Sequence, residues 1–577
     1  MEDYTMKKNN IFNYMKSLSL CGILALSATS CSDDFFDINN PNEISSGNFW
    51  KTESDALMAL TGCYDAMQDG DLFNDYIDGW KFGFLCRETC TDNGGHSWGE
   101  WMLGSSIAKG TSTANDECFS KYWNSNYELI KRCNALIEKV DDMEMTDAQK
   151  GAYKGEAIEL RALGYCNLVS VFRDVPYLDK PLTLAECQPE RNTKEEIATK
   201  VLADLKACIP NIPVKGKAAK GRLTQEGAYA IMGRLALFTK HYDEAIEAYN
   251  HVIGKYSLFK SGDGTDVYKN YSELFTEANE ECNEVILGIH YAGPGLNEGQ
   301  TFSISWGGPM NGIEATRNLC DDYYCTDGLP IDKSPLFKGK TGKAAYDKDH
   351  PDFARYENRD PRLKGTLFVP GMKWLNDTYD YDKTTNPDGK KIPSASQVAI
   401  MKWFVPENMA NEYDGSLDYY VIRYAEVLLN FAEAVYELQG RISDSDLDKS
   451  VNLVRQRSNP KMVKLSNALV DNNGLSMREE IRRERTVELV FEGFRIDDLK
   501  RWATAPVEMP QTLLGVKWKG TQFESLWANQ SRQLDADGCI ILYDNRQWDD
   551  KLYLYPLPSD QMQLNPNIGQ NPGWEKN

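Results

Sequence analysis

Three glutamates, Glu484, Glu488 and Glu492, recur one helical turn apart in the stretch 476–502, SMREEIRRERTVELVFEGFRIDDLKRW. Arg478, Arg482, Arg485 and Arg495 are interleaved with them. Two carboxylates at a fixed separation are what hydrolysis of a glycosidic bond requires, one as acid and one as base or nucleophile. The same residues would also build a buried ion-pair clamp. The spacing favours the clamp, because the regularly spaced acids sit beside arginine, as in Arg485/Glu488 and Arg161/Glu159. We therefore expect Glu484, Arg485 and Glu488 to pair with one another and with neighbouring helices. The five histidines, His96, His241, His251, His290 and His350, are scattered and form no HExxH or comparable ligand set. Gly339-Lys-Thr-Gly342-Lys343 has the wrong glycine spacing for a phosphate-binding loop. The reading is a non-catalytic protein with no metal and no cofactor.

The elements that carry these residues are mostly helical. Ser476 with Glu479 three residues later forms a capping box that starts a helix, with Ile481, Val487, Leu489, Val490, Phe491 and Phe494 as its apolar face. Residues 53–67 read as a helix with Ala56, Leu57, Leu60, Tyr64 and Met67 on one face. Further helices are expected at about 120–140, at 147–172 behind Thr146/Gln149, and behind Thr193/Glu196. In 224–254, Gly233, Tyr242, Ala245 and Tyr249 fall on the spacing of a tetratricopeptide repeat, although its signature Trp is absent and Lys240 stands at the turn. A second pair of the same kind is expected at 419–439 and 443–458. Such pairs cannot bury their faces alone and must stack. The fold class is thus mainly α: a tetratricopeptide-like helical scaffold (about 47–69, 120–254 and 419–502). Long irregular insertions at about 70–115, 256–418 and 503–577 would form the ligand-binding face.

Residues 1–30 read as an export signal, with Lys7, Lys8 and Lys16 ahead of a short apolar run, Leu18–Leu26. Ala28-Thr29-Ser30 before Cys31 has the form of a lipobox, with Ala28 where Leu is usual, which assigns Cys31 to lipid and 31–46 to a tether. Two or more acyl chains at about 0.8 kcal/mol per buried CH₂ would hold the chain stably on a membrane. The 577 residues carry a net charge of −22, which argues against nucleic acid as a partner. Disulfides are permitted outside the cytoplasm, but the pairing of the cysteines cannot be read from their spacing.

A series of strings in a fixed order resembles one family. They include CSDDFFDINNP at 31–41, EAIELRALGYCNLVSVFRDVP at 156–176 and Gly221-Arg-Leu-Thr224. Arg359-Asp-Pro-Arg-Leu363, Arg423-Tyr-Ala-Glu-Val-Leu-Leu-Asn-Phe-Ala-Glu-Ala434, the stretch 476–502 and Gln570-Asn-Pro-Gly573 complete the series. Together they span nearly the whole chain and resemble the SusD/RagB family of outer-membrane nutrient-binding lipoproteins. The resemblance implies a surface-exposed, lipid-anchored protein that caps a SusC-like TonB-dependent transporter and captures a nutrient, most often a glycan. It leaves a peptide or other non-glycan ligand open; a glycoside hydrolase or a purely protein-binding repeat scaffold are the weaker alternatives.

Sugar capture calls for flat rings with amides and acids around them. The 13 Trp, 30 Tyr and 21 Phe leave rings to spare beyond a core. Candidates lie in three non-periodic segments: Asn93, His96, Trp98 and Trp101; Trp306 and Asn311; and Trp374 and Tyr379.

Overall fold

The computed structural model describes residues 49–74, 81–96, 102–293, 295, 299–302, 313–338, 352–374, 379–381, 395–405, 414–529 and 531–575. The export signal, the tether and Cys31 lie outside the described residues.

The chain is mainly helical. Helix α1 (Glu53–Met67) opens on a full capping box, Thr52 with Asp55. It packs on α2 (Glu117–Lys139), which lies against α3 (Asp147–Val171), itself opened by the Thr146/Gln149 box. Helix α4 (Lys194–Cys208) follows behind the Thr193/Glu196 box. Helices α5 (Gln225–Phe238) and α6 (Tyr242–Val252) form a hairpin that turns at Lys240, in the left-handed region at φ +68°. Gly233 is needed on α5 because a Cβ there would meet the Tyr249 ring at 2.5 Å. Helices α7 (Tyr424–Gln439) and α8 (Val451–Ser458) extend the stack. One hydrophobic core runs through all of these elements, from Ala56 to Leu557.

The expected helix at 419–439 begins later than its periodicity implies. Residues Tyr419–Arg423 form a strand, paired antiparallel with Val285–Ile289. All five of its residues are buried, so the apolar run reads alike as strand or helix. The expected insertions are also more ordered than predicted. They contain a short helix at Phe84–Thr89 and, among the described residues, four two-stranded sheets besides the one that pairs with Tyr419–Arg423.

The stretch 476–502 forms two helices. Helix α9 (Met477–Leu489) starts at Ser476, whose hydroxyl accepts the Glu479 N–H, and α10 runs Arg495–Arg501. Between them Phe491 (φ +60°) and Gly493 (φ +81°) turn the chain, so Glu492 lies outside the helix. Glu484 and Glu488 are fully buried and ion-paired, as the clamp reading requires, but Arg485 is not their partner. Glu488 binds Arg362 at 2.9 Å, Arg423 at 2.7 Å and also Arg457. Glu484 meets Arg362 at 2.7 Å and Arg455 at 3.1 Å, whereas Arg485 reaches Asp498 at 2.7 Å and the Asn430 side chain at 2.5 Å. Glu492 closes on Arg423 and Lys402. The Arg161/Glu159 pair does not form either. Arg161 reaches Asp204 and Asn134, while Glu159 is buried without a hydrogen bond among the described residues, and burial raises its carboxyl well above the ordinary range.

Against the desolvation that opposes it, the surrounding guanidiniums of Arg457, Arg423 and Arg362 hold the Glu488 carboxyl far below the usual range. Replacing Glu488 with Ala leaves one uncompensated positive charge among the buried guanidiniums of Arg362, Arg423 and Arg457 and should cost ~3–5 kcal/mol. Glu488→Gln, with similar volume, should lose much of the same stability. Chemical denaturation of both variants checks this, and a change under about 1 kcal/mol in each would refute the clamp.

Candidate ligand-binding face

Strand β1 (Gly94–His96) pairs antiparallel with β2 (Ile313–Ala315), in the register Gly94↔Ala315 and His96↔Ile313. The chain that leaves His96 toward Trp98 and Trp101 therefore starts beside the point where the chain from Trp306 and Asn311 arrives at Ile313. Trp98, Trp101, Trp306 and Asn311 themselves lie outside the described residues. The register alone brings two of the three predicted segments to one end of one small sheet. In the third segment, strands Lys373–Trp374 and Tyr379–Asp380 pair so that Trp374 stands directly opposite Tyr379.

Asn93 and His96 are corrections. Both are buried, at 1% and 2% exposure, and neither faces solvent. The Asn93 amide donates to Glu88 at 2.8 Å, and the His96 imidazole bonds the Thr89 hydroxyl. Burial pushes the His96 pKa down to about 4, so the ring is neutral. Their glycine-rich surroundings signalled close packing rather than an open loop. A Cβ on Gly94 would fall 2.8 Å from the Glu314 carbonyl, and one on Gly95 would fall 2.6 Å from Leu542.

The sheet stands on an aromatic platform. Phe84 stacks on Tyr419 at 3.9 Å between centroids, and Phe302 meets Phe84 edge-on at 5.2 Å. Tyr291 and Trp403 also pack on Phe302. Residues 303–312 thus depart from a buried ring, Phe302, and return to a paired strand end, Ile313. Segment 75–80 departs from Asn74 and returns to Lys81, which lies against Asp71 at 3.3 Å.

Beside this platform is a hollow of about 360 Å³. Asp65, Gln68, Asp69, Asn74, Arg132 and Tyr291 contribute to its wall. Arg132 is held by Asp65 at 2.6 Å and Glu128 at 3.0 Å, and the Gln68 amide donates to the His290 carbonyl at 2.8 Å. Carboxylates, an amide and a guanidinium around a small volume suit neutral hydroxyl-bearing ligands. The sequence reading missed these residues because they sit on scaffold helices α1 and α2 and on the turn after α1. The run Gln68-Asp-Gly-Asp71, polar immediately past an apolar helix face, was the available signal.

Two sequence profiles of one family cover most of the chain. One, described as the SusD family, matches residues 287–574. The other, described as starch-binding associating with outer membrane, matches 42–237. The chain belongs to the SusD/RagB family. A SusD-like protein of Bacteroides ovatus is 23% identical over 553 residues, covering 92% of this chain and 91% of that one. Among solved structures, a SusD-like carbohydrate binding protein of Bacteroides fragilis aligns with a TM-score of 0.74 at 23% identity, over 90% of this chain and 99% of that one. A laminarin binding SusD-like protein aligns at 0.61 with 21% identity, over 91% and 100%. At these identities the solved structures establish a shared fold. The family profile places this SusD-family chain in association with the outer membrane.

A titrating cluster fixes the edge of the hollow. The His290 ring bonds Asp418 at 2.5 Å, Asp418 also accepts the Tyr291 N–H, and Glu280 accepts the Asp418 N–H at 2.8 Å. The hydrogen bond to Asp418 raises His290, and burial pushes Glu280 up to about 7. Between its ordinary 4.5 and about 7, folded Glu280 holds a proton that the unfolded chain has released, so its contribution to stability falls as pH rises through that window. Glu280→Gln keeps a carbonyl acceptor and abolishes the fall. Its melting temperature relative to wild type should increase from about pH 5 to about pH 8, and a constant difference would refute the assignment.

Proposed function

We propose that this SusD-family chain is a lipid-anchored binding protein of the cell surface, held through Cys31, that captures an oligo- or polysaccharide and delivers it to a TonB-dependent outer-membrane transporter. The observation that carries the reading is the β1–β2 register, in which the chain toward Trp98 and Trp101 departs beside the point where the chain from Trp306 and Asn311 arrives. The remaining candidates, Trp374 and Tyr379, sit opposite each other in a hairpin and would supply a further contact. The names of two related structures, one carbohydrate binding and one laminarin binding, point the same way. A net charge of −22 disfavours acidic ligands and leaves neutral glycans unrepelled.

The role is binding without chemistry. The regularly spaced carboxylates of 476–502 are committed to arginine and lysine, and Glu488, held as an anion, has no proton to give a leaving group near neutral pH. A ring that buries ~80 Å² of a sugar's apolar face, at roughly 25 cal/mol/Å², contributes about 2 kcal/mol. Two or three such contacts with hydrogen bonds give micromolar-to-millimolar binding, suited to a protein that must pass its ligand on.

Trp98→Ala should weaken retention on an immobilised glycan by roughly 30-fold, the equivalent of one lost ring contact, with no change in melting temperature. A glycan screen of the mature protein supplies the matrix. A fully retained variant would remove Trp98 from the site, and a screen in which only peptides bind would overturn the glycan assignment. Tagged protein extracted in mild detergent should bring down a transporter barrel, and its absence would argue against a stable lid.

A further inference from the structure

A groove of about 640 Å³ opens between α2, the loop 176–189 and the C-terminal stretch 561–568. Trp123, Tyr127, Pro176, Leu178, Leu564 and Ile568 give it a mostly apolar wall. The polar groups beside them are spent on backbone. The Tyr127 hydroxyl donates to the Pro176 carbonyl at 2.8 Å, the Asn134 amide to that of Leu178 at 2.8 Å and the Asn565 amide to that of Pro189 at 2.7 Å. A sugar would find few hydroxyl partners there, so the groove suits an apolar occupant and not a second glycan. Two leucines of its wall stand in water, Leu182 at 38% exposure and Leu564 at 69%.

We infer that the occupant is this chain's own segment 33–38, Asp-Asp-Phe-Phe-Asp-Ile, with Phe35 and Phe36 seated in the groove between α2 and the C-terminal stretch. Composition is the first argument. A tether needs no large apolar side chains, yet this one sets two phenylalanines side by side between Asp33-Asp34 and Asp37. Reach is the second. The tether joins the described chain at Phe49, and the Lys51 carbonyl accepts the Glu144 N–H at 2.7 Å, just past the end of α2 at Lys139. From Lys139 back to Tyr127, α2 measures ~18 Å at about 1.5 Å per residue. Residues 37–48, extended, span up to ~40 Å at about 3.3 Å each.

Charge is the third. The charged residues of the groove wall are Lys131, Lys180 and Glu128, a net positive lining in a chain of net charge −22. Lys131 holds Glu128 at 2.9 Å and Lys180 holds Glu186 at 2.7 Å, and both lysine side chains are largely exposed. Each therefore has donors left for a carboxylate of Asp33, Asp34 or Asp37. The consequence rests on the lipid-anchor part of the proposed function, whereas the docking itself does not. With Phe35 seated, only residues 31–34 separate the lipid from the body, which turns the groove toward the membrane.

The test uses the full mature chain with Cys31→Ala, which removes the lipid. Cys187, an exposed thiol in the groove wall, is the reporter. Phe36→Cys should cross-link to Cys187 through a short bis-maleimide at least ten-fold faster than Ser46→Cys does, with the linked peptides identified by mass spectrometry. Leu564→Asp, at an exposed position, should abolish that preference without lowering the melting temperature. In a chain that keeps residue 46 unchanged, Phe35→Ser with Phe36→Ser should raise the rate of Cys187 alkylation several-fold. Equal cross-linking from positions 36 and 46, or a Cys187 equally reactive with and without the phenylalanines, would overturn the inference. Protection of Cys187 only after a transporter barrel is added would also overturn it, and would give the groove to that partner. Acylation of Cys31 is read separately from the intact mass of the exported wild-type chain, so an unacylated chain sinks the anchor reading and leaves the docking result standing.

Discussion

One buried ionic network, centred on Glu488, ties the segment between the two helical regions to the helical scaffold. Its cations are Arg362, Lys402, Arg423, Arg455 and Arg457, and its anions are Glu284, Asp360, Glu484, Glu488 and Glu492. Five positive and five negative groups make it electroneutral, the condition under which charge tolerates a medium of low dielectric. The partners come from different parts of the chain. Arg362 and Lys402 belong to the long segment between the two helical regions, Arg423 ends a strand, and Arg455 and Arg457 belong to α8. Apolar packing could join the same elements, but it would not dictate which residue meets which. The directed guanidinium–carboxylate contacts fix the insertion in one position on the scaffold.

The network also accounts for the break in the 476–502 stretch. A continuous helix through Val490, Phe491 and Glu492 would spend their carbonyls on its own N–H groups. In the observed turn those carbonyls serve the insertion and the adjoining strand. Lys402 donates to Val490 at 2.8 Å, the Trp403 indole to Phe491 at 2.9 Å and the Tyr419 hydroxyl to Glu492 at 2.9 Å. The left-handed conformation at Phe491 is the local cost of this exchange. Trp403 and Tyr419 are the same rings that support Phe84 and Phe302. The ion network, the turn and the platform under the candidate loops are consecutive links in one mechanical connection.

Local signals were legible in the sequence, and long-range ones were not. Capping at Thr146, Thr193 and Ser476 located three helix starts, because a cap is chemistry within four residues. The small residue at Gly233 marked the α5–α6 hairpin for a similar reason. Glu484 and Glu488 were read correctly as ion-paired, yet their partners, Arg362, Arg423, Arg455 and Arg457, come from other elements. Spacing along one helix carries no information about those. Asn93 and His96 were misplaced because a Gly-Gly pair looks the same whether it opens a loop or admits a neighbouring backbone. The strand at 419–423 was lost inside a longer apolar run, buried on every side. The hollow was missed because its residues come from two helices and a distant turn.

This arrangement separates stability from recognition. The costliest groups in the protein, fully buried charges, sit at 0–1% side-chain exposure and are committed to holding elements together. The candidate contacts lie beyond strand ends whose positions the platform fixes. Substitutions in 97–101 or 303–312 leave His96, Phe302 and Ile313 in place, since the β1–β2 pairing and the packing of Phe302 hold them. The charged helix that first looked like an active site, by contrast, has its carboxylates committed to buried cations and can hardly change at all.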